Sequence, residues 1–255
     1  MKQSEQLEIL FQTDQLVAVF KPAGLATIPG RAETDSVLER IARQLKLPHT
    51  GEVDPRIRVV HRLDKETSGV LLFAKDKAAQ QYLSHQFQNN TIEKEYIAIC
   101  VGQAIGNEGQ VDQPIAVDPN CKTRMAISPS QGRPAKTEWK VEDRFGEFTL
   151  VRCFPKTGKT HQIRVHLKSI GLPLAIDPIY NPVRSPALTG IFLSRFKRDY
   201  RSNFGQDERP LIDRLTLHAE KLRFIAPTGE KVEIDAPPPK DMRACLNQLS
   251  RHGRR

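Results

Sequence analysis

The stretch RIRVVHRLDKETSGVLLFAK, residues 56–75, carries most of what the sequence says about architecture. RIRVV (56–60) and VLLFAK (70–75) are apolar and β-branched enough to read as strands, and HRLDKETSG (61–69) between them reads as a polar loop held by two buried anchors. Within that loop Asp64 is flanked by His61, Arg62 and Lys65. Positive neighbours favour the ionised form of a carboxylate, and the same charges would meet the phosphates of a nucleic acid. An ordinary ion-paired surface loop has the same composition, so the tetrapeptide HRLD alone decides nothing about function.

Upstream, LEILFQTDQLVAVFKPAG (7–24) reads as two short strands around a turn at Thr13 and Asp14, followed by a Pro/Gly-rich loop through Pro29 and Gly30. Ser36 and Glu39 have capping-box spacing, and Val37, Leu38, Ile41 and Leu45 recur at helical intervals, which predicts a helix near 37–46 that ends before Pro48. Downstream, Asp76 caps a predicted helix over KAAQQYLSHQF (77–87), and Ile92, Tyr96, Ala98 and Cys100 alternate as in a strand. TEWKVEDRF (137–145) and FTLVRCF (148–154) read as strands joined near Gly146, and THQIRVHLKSIG (160–171) as a helix with Thr160 as its cap and Gly171 just past its end. From Tyr180 to Pro210 the chain is polar, basic and punctuated by Pro and Gly, the pattern of an insertion or mobile loop. Strand-like LTLHAEKLRFI (215–225) and KVEIDA (231–236) return before a final short helical stretch. Helices interspersed with strands give an α+β class; periodicity goes no further.

Composition narrows the function. The chain has 255 residues, 38% of them hydrophobic, enough for one substantial core, so the domain reading is a single catalytic unit over 1–240 with a basic insertion near 181–210 and a basic tail over 241–255. No run of about 18 apolar residues exists to cross a membrane, and the start MKQSEQLEIL lacks the layout of a signal peptide, so a cytoplasmic protein is expected. Cys100, Cys121, Cys153 and Cys245 are scattered without a C-x-x-C pair and are expected as reduced thiols. The formal charge of +9 favours a polyanionic partner or a merely solubilising surface, with clusters at RFKRDYR (195–201) and RHGRR (251–255). GKT (158–160) is no phosphate loop, because Cys153 stands where a Walker motif needs its first glycine, and Ser68 lacks the surroundings of a nucleophile elbow. The seven histidines show no metal-binding spacing, so no metal is expected.

Two further motifs change the weight of HRLD: EKEYIAICVG around Tyr96 and KTGKTHQIRVHL around Arg164. With them the chain resembles the RluA-type pseudouridine synthases, whose HRLDxxTSG hallmark is matched throughout His61–Gly69. The resemblance continues through KPAGLATIPG (21–30), KEYIAICVG (94–102), AKTEWKVEDRF (135–145), TGKTHQIRVHL (157–167) and LHAEKLRFIAPTGE (217–230), in the family's order, and covers roughly 7–235.

The resemblance implies a large, mostly antiparallel mixed sheet flanked by helices, with an RNA-binding cleft lined by Asp64, Tyr96 and Arg164. It implies a cofactor-free isomerisation in which uracil is detached from ribose, rotated and rejoined through carbon 5. A carboxylate suits either of two routes, attack at the anomeric carbon or removal of the neighbouring sugar proton to give a glycal, and the residues leave both open. By the same resemblance Asp64 is essential, Tyr96 stacks on the target base and is placed to help remove its carbon-5 proton, and Arg164 pairs with Asp64. A paired or stacked uridine must be flipped out before it can react. Arg62 is a candidate to fill the gap by stacking, or else contacts a phosphate. His61 is read as a phosphate contact or a histidine satisfied inside the fold, the latter favoured. Lys65, Lys159 and His161, with Arg195, Lys197 and Arg198 of the RFKRDYR cluster, complete the expected RNA-binding set; for that cluster a charged solvent loop is the plain alternative.

The catalytic pattern begins within about ten residues of Met1, so the preceding RNA-binding domain of many relatives is not expected here. The family's GDPxYG reads AIDPIYNP here (175–182), with Ile176 and Asn181 in place of two glycines. Isomerisation of uridines in structured ribosomal or transfer RNA, by a monomer, is therefore the expected function. A non-catalytic RNA-binding or RNA-folding protein is the first alternative, and a hydrolase releasing free uracil the second.

Overall fold

The structure is a computed structural model and describes residues 6–30, 34–49, 55–181, 190–197, 200 and 207–253. By internal contacts it divides into two compact units: the described residues up to Glu95 with Ala219–Pro237, and Tyr96–His218 with the residues from Pro238 onward.

In the first unit, strands β1 (Ile9–Gln12) and β2 (Leu16–Lys21) form the expected hairpin, with the Thr13 hydroxyl accepting the N–H groups of Gln15 and Leu16. Helix α1 (Val37–Leu45) starts where the capping box predicts, the Ser36 hydroxyl accepting the Glu39 N–H at 3.2 Å. A two-residue β3 (Arg58–Val59) precedes β4 (Ser68–Ala74), and α2 (Lys77–Gln88) is capped by Asp76, whose carboxylate accepts the Ala79 N–H at 2.7 Å. All seven residues of β4 are buried, as befits a strand with neighbours on both edges: β2 antiparallel on one side, and on the other β11 (Leu217–Ile225, in this unit from Ala219 on). β12 (Lys231–Asp235) pairs antiparallel with β11. Leu16, Ala18, Val70, Leu72, Leu83, Phe224 and Ile234 form the core. Each large side chain so buried contributes about 1.5–3 kcal/mol. The register pairs Lys21, the last residue of β2, with Gly69 near the start of β4, and so sets the loop after β2 beside the HRLDKETSG loop.

In the second unit, β5 (Glu93–Val101, from Tyr96 on), β6 (Glu108–Asp112), β9 (Lys136–Phe145) and β10 (Phe148–Pro155) form an antiparallel sheet in the order β5-β10-β9-β6. β7 (Ile115–Asp118) and β8 (Cys121–Ile127) make a separate hairpin. Ala98, Cys100, Val151 and Cys153 point to one face, where Ile163 and Leu167 of α3 (Gln162–Ser169) cover them. Ile97, Ile99 and Phe148 point to the other, under Met242, Cys245 and Leu249 of α4 (Lys240–His252). The alternation expected of β5 is therefore real but describes one face only, since both are covered.

The final helical stretch expected after Asp235 forms α4 through His252, its apolar residues falling on one stripe and Arg214 gripping Asp241 in the first turn through bonds of 2.6 and 2.9 Å. One sequence expectation changes. The first-turn cap of α3 is His161, in the left-handed region at φ 54°, and not Thr160, which is exposed. The four cysteines are free thiols, and burial pushes Cys153 and Cys245 up to about 12. No described helix is long and apolar enough to cross a membrane.

Candidate active site

Asp64 is half-buried, with Arg62 and Lys65 exposed on either side of it. Its own carbonyl accepts the Thr67 N–H at 3.1 Å, which closes the turn. The chain on both flanks of Asp64 is pinned. The ammonium of Lys21, a side chain with no exposed surface, donates to the carbonyls of Lys65 at 2.7 Å and Pro22 at 2.9 Å, and Gly24 N–H donates to the Lys65 carbonyl at 2.9 Å. On the other flank the Thr27 hydroxyl donates to the Leu63 carbonyl at 3.0 Å and accepts the Leu63 N–H at 3.2 Å. Gly69 leaves the loop at φ 126°, and a Cβ there would lie 2.1 Å from the Ala219 carbonyl oxygen, so no other residue fits. Thr67 is buried at the end of the loop, and Ser68 is buried as the first residue of β4.

His61 is half-buried. Its ring stacks on Phe87 at 4.6 Å, Nε2 accepts the Leu72 N–H at 3.0 Å, and burial, aided by the Lys94 charge, pushes its imidazole down to about 3. A neutral ring with a backbone partner is the signature of a structural histidine.

Tyr96 and Arg164 belong to the second unit. Tyr96 is half-buried on β5, opposite Cys153, and packs against the core under α3. Arg164 is only 5% exposed and is held bidentately by Asp177, Nε at 2.7 Å and Nη2 at 2.8 Å. One Asp177 oxygen also accepts the N–H groups of Ile179 and Tyr180. The Tyr180 ring lies 5.0 Å from the guanidinium carbon, and its hydroxyl accepts the Met125 N–H and meets His161 Nδ1, each at 2.8 Å.

Lys159 is half-buried in a loop organised by Gln162, whose Oε1 accepts the Thr157 hydroxyl and the Lys159 N–H while Nε2 donates to Lys136 O and Thr137 Oγ1. His166 completes that network through Thr137 and the Gln113 carbonyl, and burial lowers its pKa. Among the described residues no group of His, Cys, Asp and Glu is assembled to hold a metal.

A family model described as RNA pseudouridylate synthase matches residues 15–169, a span that holds the Asp64 loop, Tyr96 and Arg164. The chain belongs to the RNA pseudouridylate synthase family. It is 38% identical over 244 residues to the ribosomal large subunit pseudouridine synthase D of Nitrosomonas europaea, covering 95% of this chain and 65% of that protein, so it spans less than two thirds of that relative. The similarly named protein of Vibrio parahaemolyticus is 38% identical over 245 residues, covering 95% of this chain and 70% of that protein. Among solved structures, human RNA pseudouridylate synthase domain containing 4 superposes with a TM-score of 0.71 at 27% identity, covering 95% of this chain and 93% of that one.

Where this member of the pseudouridylate synthase family departs from GDPxYG, the turn is closed by other means. Ile176 is buried against the core beneath α4, and the Asn181 amide donates to the Leu174 carbonyl at 3.0 Å while its N–H meets the Asp177 carbonyl at the same distance. In the basic cluster, Arg195 pairs with Glu147 at 2.8 Å over the Phe148 ring, Lys197 is half-buried, and Arg198 lies outside the described residues. Sequence reasoning missed Lys21, Thr27, Asp177 and Tyr180. Lys21 and Asp177 stood inside quoted motifs, KPAG and AIDPIYNP, where a charged residue beside glycine or proline was the available signal.

Proposed function

We propose that this chain is a pseudouridine synthase that isomerises uridines in structured RNA, with Asp64 as its reactive carboxylate. The observation that carries the reading is the Asp64 loop itself: a complete HRLDKETSG whose backbone is pinned on both sides of the aspartate, with exposed Arg62 and Lys65 beside it. Isomerisation is redox-neutral and loses no atoms, so the carboxylate and the substrate's own atoms suffice for the balance. The carboxylate either attacks the anomeric carbon, expelling uracil, or takes the neighbouring sugar proton as the glycosidic bond breaks. Carbon 5 of the base then bonds to the anomeric carbon, displacing the carboxylate on the first route or with return of the sugar proton on the second. The carbon-5 proton is lost to solvent while the freed ring nitrogen takes one up.

Tyr96 is assigned to the target base, and Arg164 is assigned as the charged partner of Asp64. Arg62, Lys65, Lys159 and Lys197 are assigned to RNA phosphates or bases, whereas His61 is assigned to the fold. The names of the relatives make large-subunit ribosomal RNA the first substrate to test, with transfer RNA second, for a protein acting in the cytoplasm as a monomer.

The deciding experiment maps pseudouridine by derivatisation and sequencing in RNA from cells with and without the gene, then re-expresses wild type or Asp64→Asn. A defined position should be lost and restored by wild type alone, with the variant still binding RNA, because Asn keeps the shape and removes the charge. Restoration by Asp64→Asn would remove Asp64 from its assigned role, and an unchanged map would favour the non-catalytic RNA-binding reading.

A further inference from the structure

The two grips that flank Asp64 are unlike in origin. On the Lys65 side the contacts come from Lys21 and Gly24, at the end of β2. On the Leu63 side one hydroxyl, that of Thr27, serves both polar groups of the residue immediately before the aspartate. Leu63 is 7% exposed and Thr27 3%, so water does not stand in for that hydroxyl.

Thr27 is itself anchored. Its carbonyl accepts the Leu38 N–H at 3.1 Å, and the carbonyl of Ala26 accepts the Val37 N–H at 2.9 Å, both from the first turn of α1. A β-branched side chain on a fixed backbone has little rotamer freedom, so its hydroxyl is a fixed point.

We infer that Thr27 is a positioning residue for Asp64: its hydroxyl sets the Leu63 backbone from which the reactive carboxylate projects. The inference rests on the proposed activity of Asp64. With the hydroxyl gone, Leu63 retains a buried N–H and a buried carbonyl with no partner at that point, and the backbone must move to satisfy them. That movement is passed one residue on to Asp64, and reactions that depend on placing one group against another lose about a hundredfold for a misplacement near 1 Å. The hydroxyl of Thr27 bonds to the Leu63 backbone, whereas the Arg62 and Lys65 side chains are exposed, so RNA affinity should be spared.

The test uses the full chain with an in vitro transcript of large-subunit ribosomal RNA labelled with tritium at carbon 5 of uridine, followed under single turnover with enzyme in excess. Thr27→Val, which keeps the shape and deletes the hydroxyl, should lower the maximal rate of tritium release at least about tenfold and leave the half-saturating enzyme concentration within about twofold. Thr27→Ser should restore the rate to within about threefold of wild type, because it returns the hydroxyl. Thr27→Cys, with a weak S–H donor of similar size, should fall between them, and it decides the matter alone where Thr27→Val yields no folded protein.

Full-rate release by Thr27→Val or Thr27→Cys with a lowered melting temperature would reduce Thr27 to a structural residue and overturn the inference. Equal slowing in Thr27→Ser and Thr27→Val would do the same, by showing that the hydroxyl is not what matters. Absence of release by wild type would instead strike the proposed function, and the inference with it.

Discussion

Around Asp64 the protein holds the backbone, whereas around Arg164 it holds the side chain. The aspartate's neighbours are fixed by bonds to their own N–H and carbonyl groups, from Thr27, Lys21 and Gly24. The guanidinium is instead gripped at its nitrogens by Asp177 and backed by the Tyr180 ring, with Tyr180 tied to His161 and to β8. The difference follows from burial and charge. A half-buried carboxylate can be aimed through the chain that carries it, but a guanidinium 5% exposed needs a compensating charge wherever it sits.

The largest effect that separates the two plans is therefore expected at Asp177. Asp177→Ala strips a buried guanidinium of its bidentate partner and should cost about 3–5 kcal/mol in urea unfolding. Thr27→Val removes two neutral bonds only, each worth about 0.5–1.5 kcal/mol once the Leu63 groups find new partners, and should cost about 1–3 kcal/mol in all. Asp177→Asn, which can still accept the Ile179 and Tyr180 N–H groups, should fall between them. A larger loss at Thr27 than at Asp177 would break the comparison.

A smaller effect, in pH, probes the backbone-held side. His61 in the folded chain titrates at about 3 against an ordinary 6.5, so between those values the unfolded chain binds the extra proton. The stability due to the neutral ring is thus complete above pH 6.5 and declines as pH falls towards 3, by up to about 1.4 kcal/mol per unit. His61→Gln, whose side-chain carbonyl can still accept the Leu72 N–H, should be less sensitive than wild type to a change from pH 7.5 to pH 5. Equal pH dependence in the two proteins would mean that His61 is more open to water than its stacking on Phe87 implies.

Part of this was readable in advance, for physical reasons. Helices α1 and α2 announce themselves through local caps, Ser36 and Asp76, because the bond that starts each helix spans three residues. Strands β6 and β8 gave no such signal: EGQVD is mostly exposed and polar, and CKTRMAI is half-buried with its apolar residues bunched at one end, so no alternation marks them. The start of α3 was misplaced by one residue because the left-handed turn at His161 is made without a side-chain cap. At the site, the Asp64 loop was legible as a contiguous motif. Thr27 and Asp177 were not, since a threonine bonding 36 residues away and an aspartate 13 residues from its arginine leave no periodic trace. AIDPIYNP drew notice for its missing glycines, while Asp177 proved to hold Arg164.

The smallest expected effect lies in the basic cluster, where a third arrangement holds a cation at the surface. Arg195 is paired with Glu147 and lies over Phe148, an exposed ion pair of the kind that contributes about 0–1 kcal/mol to stability. What the pair changes is the charge on offer to RNA. A lysine or arginine that neutralises one phosphate adds about one to the slope of binding against salt, because one counterion is released. Lys197→Ala should therefore lower the slope by about one, whereas Arg195→Ala should lower it by less, its charge being already shared. Glu147→Gln should then raise both affinity and slope by freeing Arg195. If Arg195→Ala removes a full unit and Glu147→Gln changes nothing, RNA breaks the ion pair on binding, and Arg195 joins Lys197 among the phosphate contacts.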